Sequence, residues 1–414
     1  MTDDVEDLDR YRATCRAWLD ERMSRRDRAT GRWGEGDDDV SVFHALGHEE
    51  ERALIAGGQA WQQEKLAAGY GAIAWPEPLG GAGLTDVHEQ VFRHLEAEYE
   101  VPGSHELLRV TVGLVAPTIR EFGTDEQRAR FVRPFLAAEE LVCQLFSEPG
   151  AGSDLAAVAT RADRDRDEWV VTGSKVWASG AQFAEWGELV ARTDPDVPKH
   201  AGLTTFLLPL NAPGVDVRPI RQMSGGSSFN EVFLDGVRVP DSLRLGPVGG
   251  GWKVALTTLG FERGQSGAKR VGGSWEQLRA LAAWSGRTAD PIVRQELASV
   301  YAHERVRELT RRRADAARQA GAPPGPEGSL AKLLWVQGMT RIGEAAARIL
   351  GPRLLADTGE WGTFAWARHL LGAPGYRIAG GSDEIQRNII GERTLGLPSE
   401  PRIDRDVPWR EVLR

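Results

Sequence analysis

Cys143-Gln144-Leu145-Phe146-Ser147-Glu148-Pro149-Gly150-Ala151-Gly152-Ser153-Asp154-Leu155 is the densest run of small and polar residues in this chain. Such a run leaves backbone amides exposed, so the loop can approach a planar or phosphorylated ligand closely. Ser147 and Ser153 add hydroxyl donors. An ordinary turn would use the same residue types, so the run must be read in its setting.

That setting changes on either side. From about Leu8 to Ala138 the apolar spacing is mostly helical, as in Asp86–Glu98 with Val87, Val91, Phe92 and Leu95. Thr124 followed by Gln127 predicts a capped helix start, and the Gly/Asp-rich stretch Ala29–Val40 predicts a loop. From Glu140 to Gly246 short β-type runs appear: Trp169–Val171, Glu188–Ala191, Thr204–Leu208, Val215–Val217 and Glu231–Leu234. Thr172-Gly173, Ala212-Pro213-Gly214 and Asp235-Gly236 separate them as turns, which predicts a small barrel or sandwich and not a parallel sheet. Helical spacing returns over Trp252–Trp284, Pro291–Ala320, Ser329–Leu350 and Ser382–Leu395. The order is helices, a β-domain, then helices: an α+β chain that is mostly α.

Composition narrows the function. The 414 residues carry 51 Lys and Arg against 60 Asp and Glu, a net charge of −9 that argues against nucleic-acid and anionic-lipid partners. No apolar run reaches the roughly 18 residues of a membrane span. Two cysteines supply neither a disulfide framework nor a cysteine-rich metal site, so no metal is expected and a reducing cytoplasm suits the chain.

Two further motifs join the first. Gly173-Ser174-Lys175-Val176-Trp177-Ala178-Ser179-Gly180 places a tryptophan and a hydroxyl where one could stack on a flat ring and the other bond its edge. Ile378-Ala379-Gly380-Gly381-Ser382-Asp383-Glu384-Ile385-Gln386-Arg387-Asn388 is a Gly-Gly turn feeding a serine-capped helix, whose free N–H groups can meet an anion. Gly80–Gly83 and Gly249–Gly251 lack the strand-loop-helix setting of a dinucleotide fingerprint, which excludes an NAD site there.

These motifs in this order resemble the acyl-CoA dehydrogenase family over nearly the whole chain. Trp75-Pro76-Glu77-Pro78-Leu79-Gly80-Gly81-Ala82-Gly83 is similar to its N-terminal motif, and Ser147–Asp154 to its most specific signature. Phe229–Phe233, Val237–Pro240 and Asn388–Arg393 also resemble family segments. The resemblance implies an N-terminal all-helical domain (1–139), a middle β-barrel (140–248) and a C-terminal four-helix bundle (249–414). It implies FAD contacted by Gln144, Phe146, Ser147, Ser153, Trp177, Ser179, Ser382 and Glu384, with Ser153 alternatively on the substrate. It also implies an acyl thioester on coenzyme A or an acyl-carrier protein, with an electron-transfer flavoprotein as acceptor.

That chemistry needs a carboxylate opposite the flavin to take the α-proton. Many family members place it just before the C-terminal Gly-Thr or Gly-Ser pair, where this chain has Gly380 followed by Gly381 and Ser382. The first helix after the β-domain offers the alternative. Helical spacing puts Ala255, Leu259 and Glu262 on one face, and a carboxylate on an apolar stripe suits a base working near neutrality. Glu262 also matches the alternative base position of relatives acting on branched or bulky acyl chains. The resemblance therefore implies it as the catalytic base, with Arg263 as a substrate or helix-positioning contact and Gly380 and Gly381 as substrate contacts.

Departures from the family point to assembly. Homotetrameric relatives carry Arg-x-x-Phe and a Gln-Gly-Gly segment for the neighbouring subunit's FAD. Here Ser285–Pro291 has no phenylalanine, and Arg348-Ile349-Leu350-Gly351-Pro352 replaces the second. Some actinobacterial sterol-degrading relatives share such losses and form mixed tetramers, so both a homotetramer and an α2β2 heterotetramer are expected forms. Gly380 removes bulk near the acyl site, which suits a branched, cyclic or steroid-side-chain group. The alternatives are a partner subunit without its own catalysis, or a flavin monooxygenase on the same fold.

Overall fold

The computed structural model describes residues 2–26, 40–103, 105–265, 271–319, 325–355, 363–402 and 404–412. Helices fill the chain to Leu136, strands run from Val142 to Leu245, and helices resume at Gly251. In the first part, the Thr2–Asp20, His48–Ala67 and Asp86–Glu96 helices share a core of Cys15, Leu19, Trp61, Phe92, Leu95 and Tyr99. Thr124 caps as its sequence predicts. Its Oγ1 accepts from the Gln127 amide at 3.2 Å, while Gln127 Oε1 accepts from the Thr124 amide at 3.0 Å. The predicted Ala29–Val40 loop lies outside the described residues except for Val40, which is buried.

Eight strands follow: β1 (Val142–Leu145), β2 (Arg161–Asp165), β3 (Glu168–Ser179), β4 (Trp186–Arg192), β5 (Leu203–Pro209), β6 (Val215–Ile220), β7 (Phe229–Pro240) and β8 (Arg244–Leu245). Their order is β6-β7-β3-β2-β4-β5-β8, with β1 on β4. A single pair, Arg161 with Arg192, joins the β6-β7-β3-β2 half to the β4-β5-β8 half. Both halves nevertheless enclose one apolar core, from Leu145 and Trp169 to Phe206, Val232 and Val239. The sheet therefore wraps around itself, as a small barrel does.

Every β-run expected from the sequence lies in a strand. β1, β2 and β8 are additional, and β1 pairs parallel with β4, a departure from the antiparallel pattern. β2 reads Arg-Ala-Asp-Arg-Asp, with only Ala162 buried, so it lacks the apolar alternation that marks a strand.

In the third part, the Trp275–Trp284, Pro291–Gln319, Glu327–Leu350 and Thr363–Ile378 helices share a core of Leu278, Leu281, Val300, Ile342, Ile349 and Trp366. The single helix expected over Trp252–Trp284 is two, Gly251–Gln265 and Trp275–Trp284; Ser274 starts the second with a capping box. The Thr363–Ile378 helix was not expected, because Gly372, Pro374 and Gly375 read as breakers. Burial of Trp366 and Ala373 in the bundle holds it together despite Pro374.

Candidate functional site

The outer face of β1 and β4 meets the Gly251–Gln265 helix. Strand alternation sends Cys143, Leu145, Leu189 and Ala191 into the barrel core, leaving Gln144, Phe146, Glu188 and Val190 on the other face. There Phe146 and Val190 pack with Ala255, Leu259 and Trp252. The stripe that carries Glu262 thus lies directly on this face of the sheet.

Glu148 locks the loop after β1. Its carboxylate accepts from the Ala159 amide at 2.6 Å, the Thr160 amide at 2.9 Å and Lys175 Nζ at 2.8 Å. Lys175, on β3, also donates to the Phe146 carbonyl at 3.0 Å and is fully buried. Burial pushes Lys175 down to about 8. It would also raise Glu148, but Lys175 and the amide donors outweigh that and hold the carboxylate below its ordinary range. One buried ion pair thereby fixes the Ser147–Asp154 loop to the Trp177 strand.

Trp177 sits in a β-bulge between β3 and β7 with φ +64°, a region that non-glycine residues rarely adopt. Its ring is 58% exposed and meets Phe229 edge-on at 6.1 Å. Such a conformation costs about 1–3 kcal/mol and persists only where the surroundings impose it. Ser179 ends the same strand, half-buried. Gln144 Nε2 is buried with no acceptor. Ser147 is half-buried and Ser153 exposed, and Gly150 and Gly152 face open space.

Glu262 is approached from two other parts of the chain. Gly380 has φ +66°, and a β-carbon there would lie 3.2 Å from Glu262 Oε1. Arg109 Nη2 lies 3.8 Å from the same oxygen, with the two side chains 27% and 22% exposed. Burial would lower Arg109, but Glu106 and Glu262 outweigh that and raise it. The Glu106–Val110 helix bearing Arg109 is capped by His105, whose Nδ1 accepts from the Leu107 amide at 3.1 Å and whose Nε2 meets buried Glu51 at 2.8 Å. Tyr376 completes the surroundings; burial and then Glu106 raise its hydroxyl.

The Gly-Gly turn is tied down from behind. Gln386 Nε2 donates to the Gly380 and Gly381 carbonyls at 3.1 Å each, and Lys332 Nζ donates to the Gly381 carbonyl. Ser382 Oγ accepts from the Ile385 amide at 3.4 Å, the cap its sequence predicts. Glu384 faces solvent beside Arg387 at 3.3 Å, and this helix packs mainly on Glu327–Leu350. Within one chain, therefore, Ser382 and Glu384 are not gathered with Gln144, Ser147 and Trp177. Arg263 continues the Gly251–Gln265 helix, and its side chain lies outside the described residues.

Sequence reasoning missed Arg109, Lys175 and Glu188. Glu188 is fully buried on β4; Thr258 Oγ1 donates to its Oε1 at 2.7 Å, while Oε2 has no partner. Burial pushes its carboxyl up to about 8, so it is mostly neutral at pH 7. Its register partner is Gln144.

Comparisons with known proteins bear on this arrangement. Residues 6–139, 143–237 and 249–395 match the models of the acyl-CoA dehydrogenase N-terminal, middle and C-terminal domains. The chain is 38% identical over 406 residues to "Acyl-CoA dehydrogenase IpdE1" of Mycobacterium tuberculosis, spanning 96% of this chain and 100% of that one. Among solved structures it is similar to the "Tcur3481-Tcur3483 steroid ACAD", with a TM-score of 0.74, 26% identity and coverage of 95% and 98%. The ChsE4-ChsE5 complex from Mycobacterium tuberculosis matches with a TM-score of 0.70, 27% identity and coverage of 95% and 98%.

Proposed function

This chain belongs to the acyl-CoA dehydrogenase family, and on that premise we propose that Glu262 is its catalytic base, acting on a branched, bulky or steroid-derived acyl group. It is an FAD-dependent oxidoreductase of acyl-CoA thioesters. Bound FAD supplies the two-electron acceptor that takes the β-hydrogen. Glu262 receives the α-proton as the Cα–H bond breaks, and the remaining electron pair forms the double bond of the 2-enoyl thioester.

The observation that carries this reading is the meeting of Glu262 with Gly380. The position that holds a carboxylate in many relatives is empty of side chain here, and the Glu262 carboxylate lies beside it. Arg109 favours the ionised form in which a base must start. The missing side chain at Gly380 supports a bulky acyl group as substrate, and Arg263 would be a further substrate contact.

The residues on β1 and β3 fit the cofactor. A strained, exposed tryptophan offers a stacking surface, and the buried Gln144 amide is a donor without an acceptor. Gln144, Phe146, Ser147, Trp177 and Ser179 would hold the flavin ring, and Ser153 its pyrophosphate or the substrate. Ser382 and Glu384, set apart within one chain, would serve FAD across a subunit boundary.

The proposed domain boundaries are 1–139, 140–248 and 249–414. The lost Arg-x-x-Phe and Gln-Gly-Gly segments favour an α2β2 heterotetramer over a homotetramer, and two similar structures are named as pairs of chains. An electron-transfer flavoprotein is the proposed acceptor and the cytoplasm the proposed compartment; among the described residues, no helix is long and apolar enough to cross a membrane.

Anaerobic titration of the FAD-loaded protein with straight, branched and steroid acyl-CoAs tests the reading. Bulky thioesters should bleach the flavin, and Glu262→Gln should retain FAD while losing the bleaching. Full reduction of that variant would overturn the base assignment.

A further inference from the structure

After the Ile390–Thr394 turn the chain does not end in solvent but folds back across the strand domain. Trp409 donates its amide to the Val197 carbonyl at 2.9 Å, and the Arg192 guanidinium lies 4.6 Å from its ring centre. Arg410 pairs with Asp196 at 2.6 Å. Lys199 bridges Asp404 at 2.6 Å and Asp154 at 2.7 Å, so the tail is tied to the Ser147–Asp154 loop itself.

This docking seats Arg402 and Arg405 at a cavity of about 470 Å³, lined also by His200, Trp252, Ser399 and Glu400. Both arginines are exposed, and among the described residues neither has an ion-pair partner. Asp404, which lies between them in sequence, is already held by Lys199. Two guanidiniums beside one cavity offer the forked donors that suit bidentate contacts to phosphate. His200 packs edge-on against Trp252 at 4.7 Å, and burial followed by Lys199 lowers its pKa, so the ring is mainly neutral. The Trp252 indole offers a stacking surface, and Glu400 can accept from an exocyclic amine.

The cavity is in line with Glu262. Trp252, Ala255, Leu259 and Glu262 follow one another at helical spacing on one stripe, and the first three share the cluster that includes Phe146. Ten residues of helix separate its ends by about 15 Å. An extended pantetheine arm, comparable to four or five extended residues, covers about the same distance.

We propose that Arg402 and Arg405 of the C-terminal tail bind the phosphates of the coenzyme A nucleotide, so that the tail selects free CoA thioesters over thioesters on a carrier protein. The inference rests on Glu262 marking the reacting end. A phosphopantetheine arm on a carrier protein shares one phosphate but lacks the adenosine and its 3′-phosphate.

Calorimetry with coenzyme A, dephospho-coenzyme A and holo-acyl-carrier protein, on the FAD-loaded full-length protein, tests it without turnover. Replacing both arginines (R402Q/R405Q) should weaken coenzyme A binding on the order of 100-fold, as loss of charge-assisted phosphate contacts implies. Removing the 3′-phosphate should weaken binding to the parent protein and cost the double variant far less. R402K/R405K should restore most of the affinity while the tail stays docked. Equal coenzyme A affinity for parent and double variant would overturn the proposal, as would the same 3′-phosphate effect in both. Holo-carrier protein binding as tightly as coenzyme A would overturn the selectivity. Coenzyme A binding that follows this pattern while no thioester bleaches the flavin would overturn the proposed reaction and leave the tail site standing.

Discussion

Glu262 Oε1 lies 3.2 Å from the point where a β-carbon on Gly380 would sit. These residues are more than a hundred positions apart, one on the helix after the barrel and the other in a turn with φ +66°. The carboxylate occupies space that a side chain at 380 would need, so the glycine and the glutamate depend on each other. Left-handed backbone favours glycine at 380, and any side chain there would have to shift the carboxylate of Glu262, the proposed base, by a few tenths of an ångström.

An alanine at 380 tests that dependence. Gly380→Ala must accept a positive φ at about 1 kcal/mol and displace the Glu262 carboxylate by a few tenths of an ångström. With Glu262 as the proposed base, its displacement costs rate more than binding, so kcat should fall about tenfold while FAD content is retained. Stopped-flow flavin reduction by a bulky acyl-CoA measures it; an unchanged rate would show that the base is not confined by this contact.

Arg109 sets the charge environment of the same carboxylate. The guanidinium 3.8 Å away favours ionised Glu262, and the attraction is reciprocal, since Glu262 helps raise Arg109. Arg109→Gln should therefore move the acid limb of the kcat/KM profile to higher pH. Several-fold loss is expected on that limb, with little change on the plateau. A uniform loss at all pH values would point instead to a role in packing the Glu106–Val110 helix.

The helix stripe that carries Glu262, the proposed base, was legible in the sequence because it is local: Ala255, Leu259 and Glu262 repeat at helical spacing within one element. The glycine- and serine-rich loops were legible for the same reason. Arg109 was not, because it reaches Glu262 from a helix about 150 positions earlier, and nothing in Glu106–Val110 marks it. Glu188 opens a predicted strand, and its burial depends on Thr258 and its helix docking over it. The Thr363–Ile378 helix was hidden by Pro374, whose missing N–H is offset by the burial of Trp366. Local periodicity was readable in each case; burial created by another element was not.

The Glu148–Lys175 pair carries a stability prediction. Lys175→Met leaves a buried carboxylate with two amide donors but no cation. Breaking a buried pair from one side costs about 3–5 kcal/mol. The apparent melting temperature should fall by several degrees and FAD should be lost on gel filtration, because the loop between Phe146 and Trp177 is no longer anchored. Retention of both would mean that the loop is held by its backbone bonds alone.

Glu188 makes stability depend on pH with a defined sign. Its carboxyl titrates near 8 in the folded chain against an ordinary value of 4.5. Below the lower value both states are protonated, and the burial of Glu188 carries no ionisation penalty. As pH rises the unfolded chain releases its proton first, so the folded state loses stability through this window, on the order of 4 kcal/mol by pH 8. Glu188→Gln cannot ionise and keeps an oxygen for Thr258, so it lacks this slope. Whatever the constant cost of its buried amide, the melting temperature of the variant relative to the parent should climb steadily between about pH 5 and pH 8. Parallel curves across that range would mean that Glu188 is ionised in the folded protein, with a cation or donor reaching Oε2.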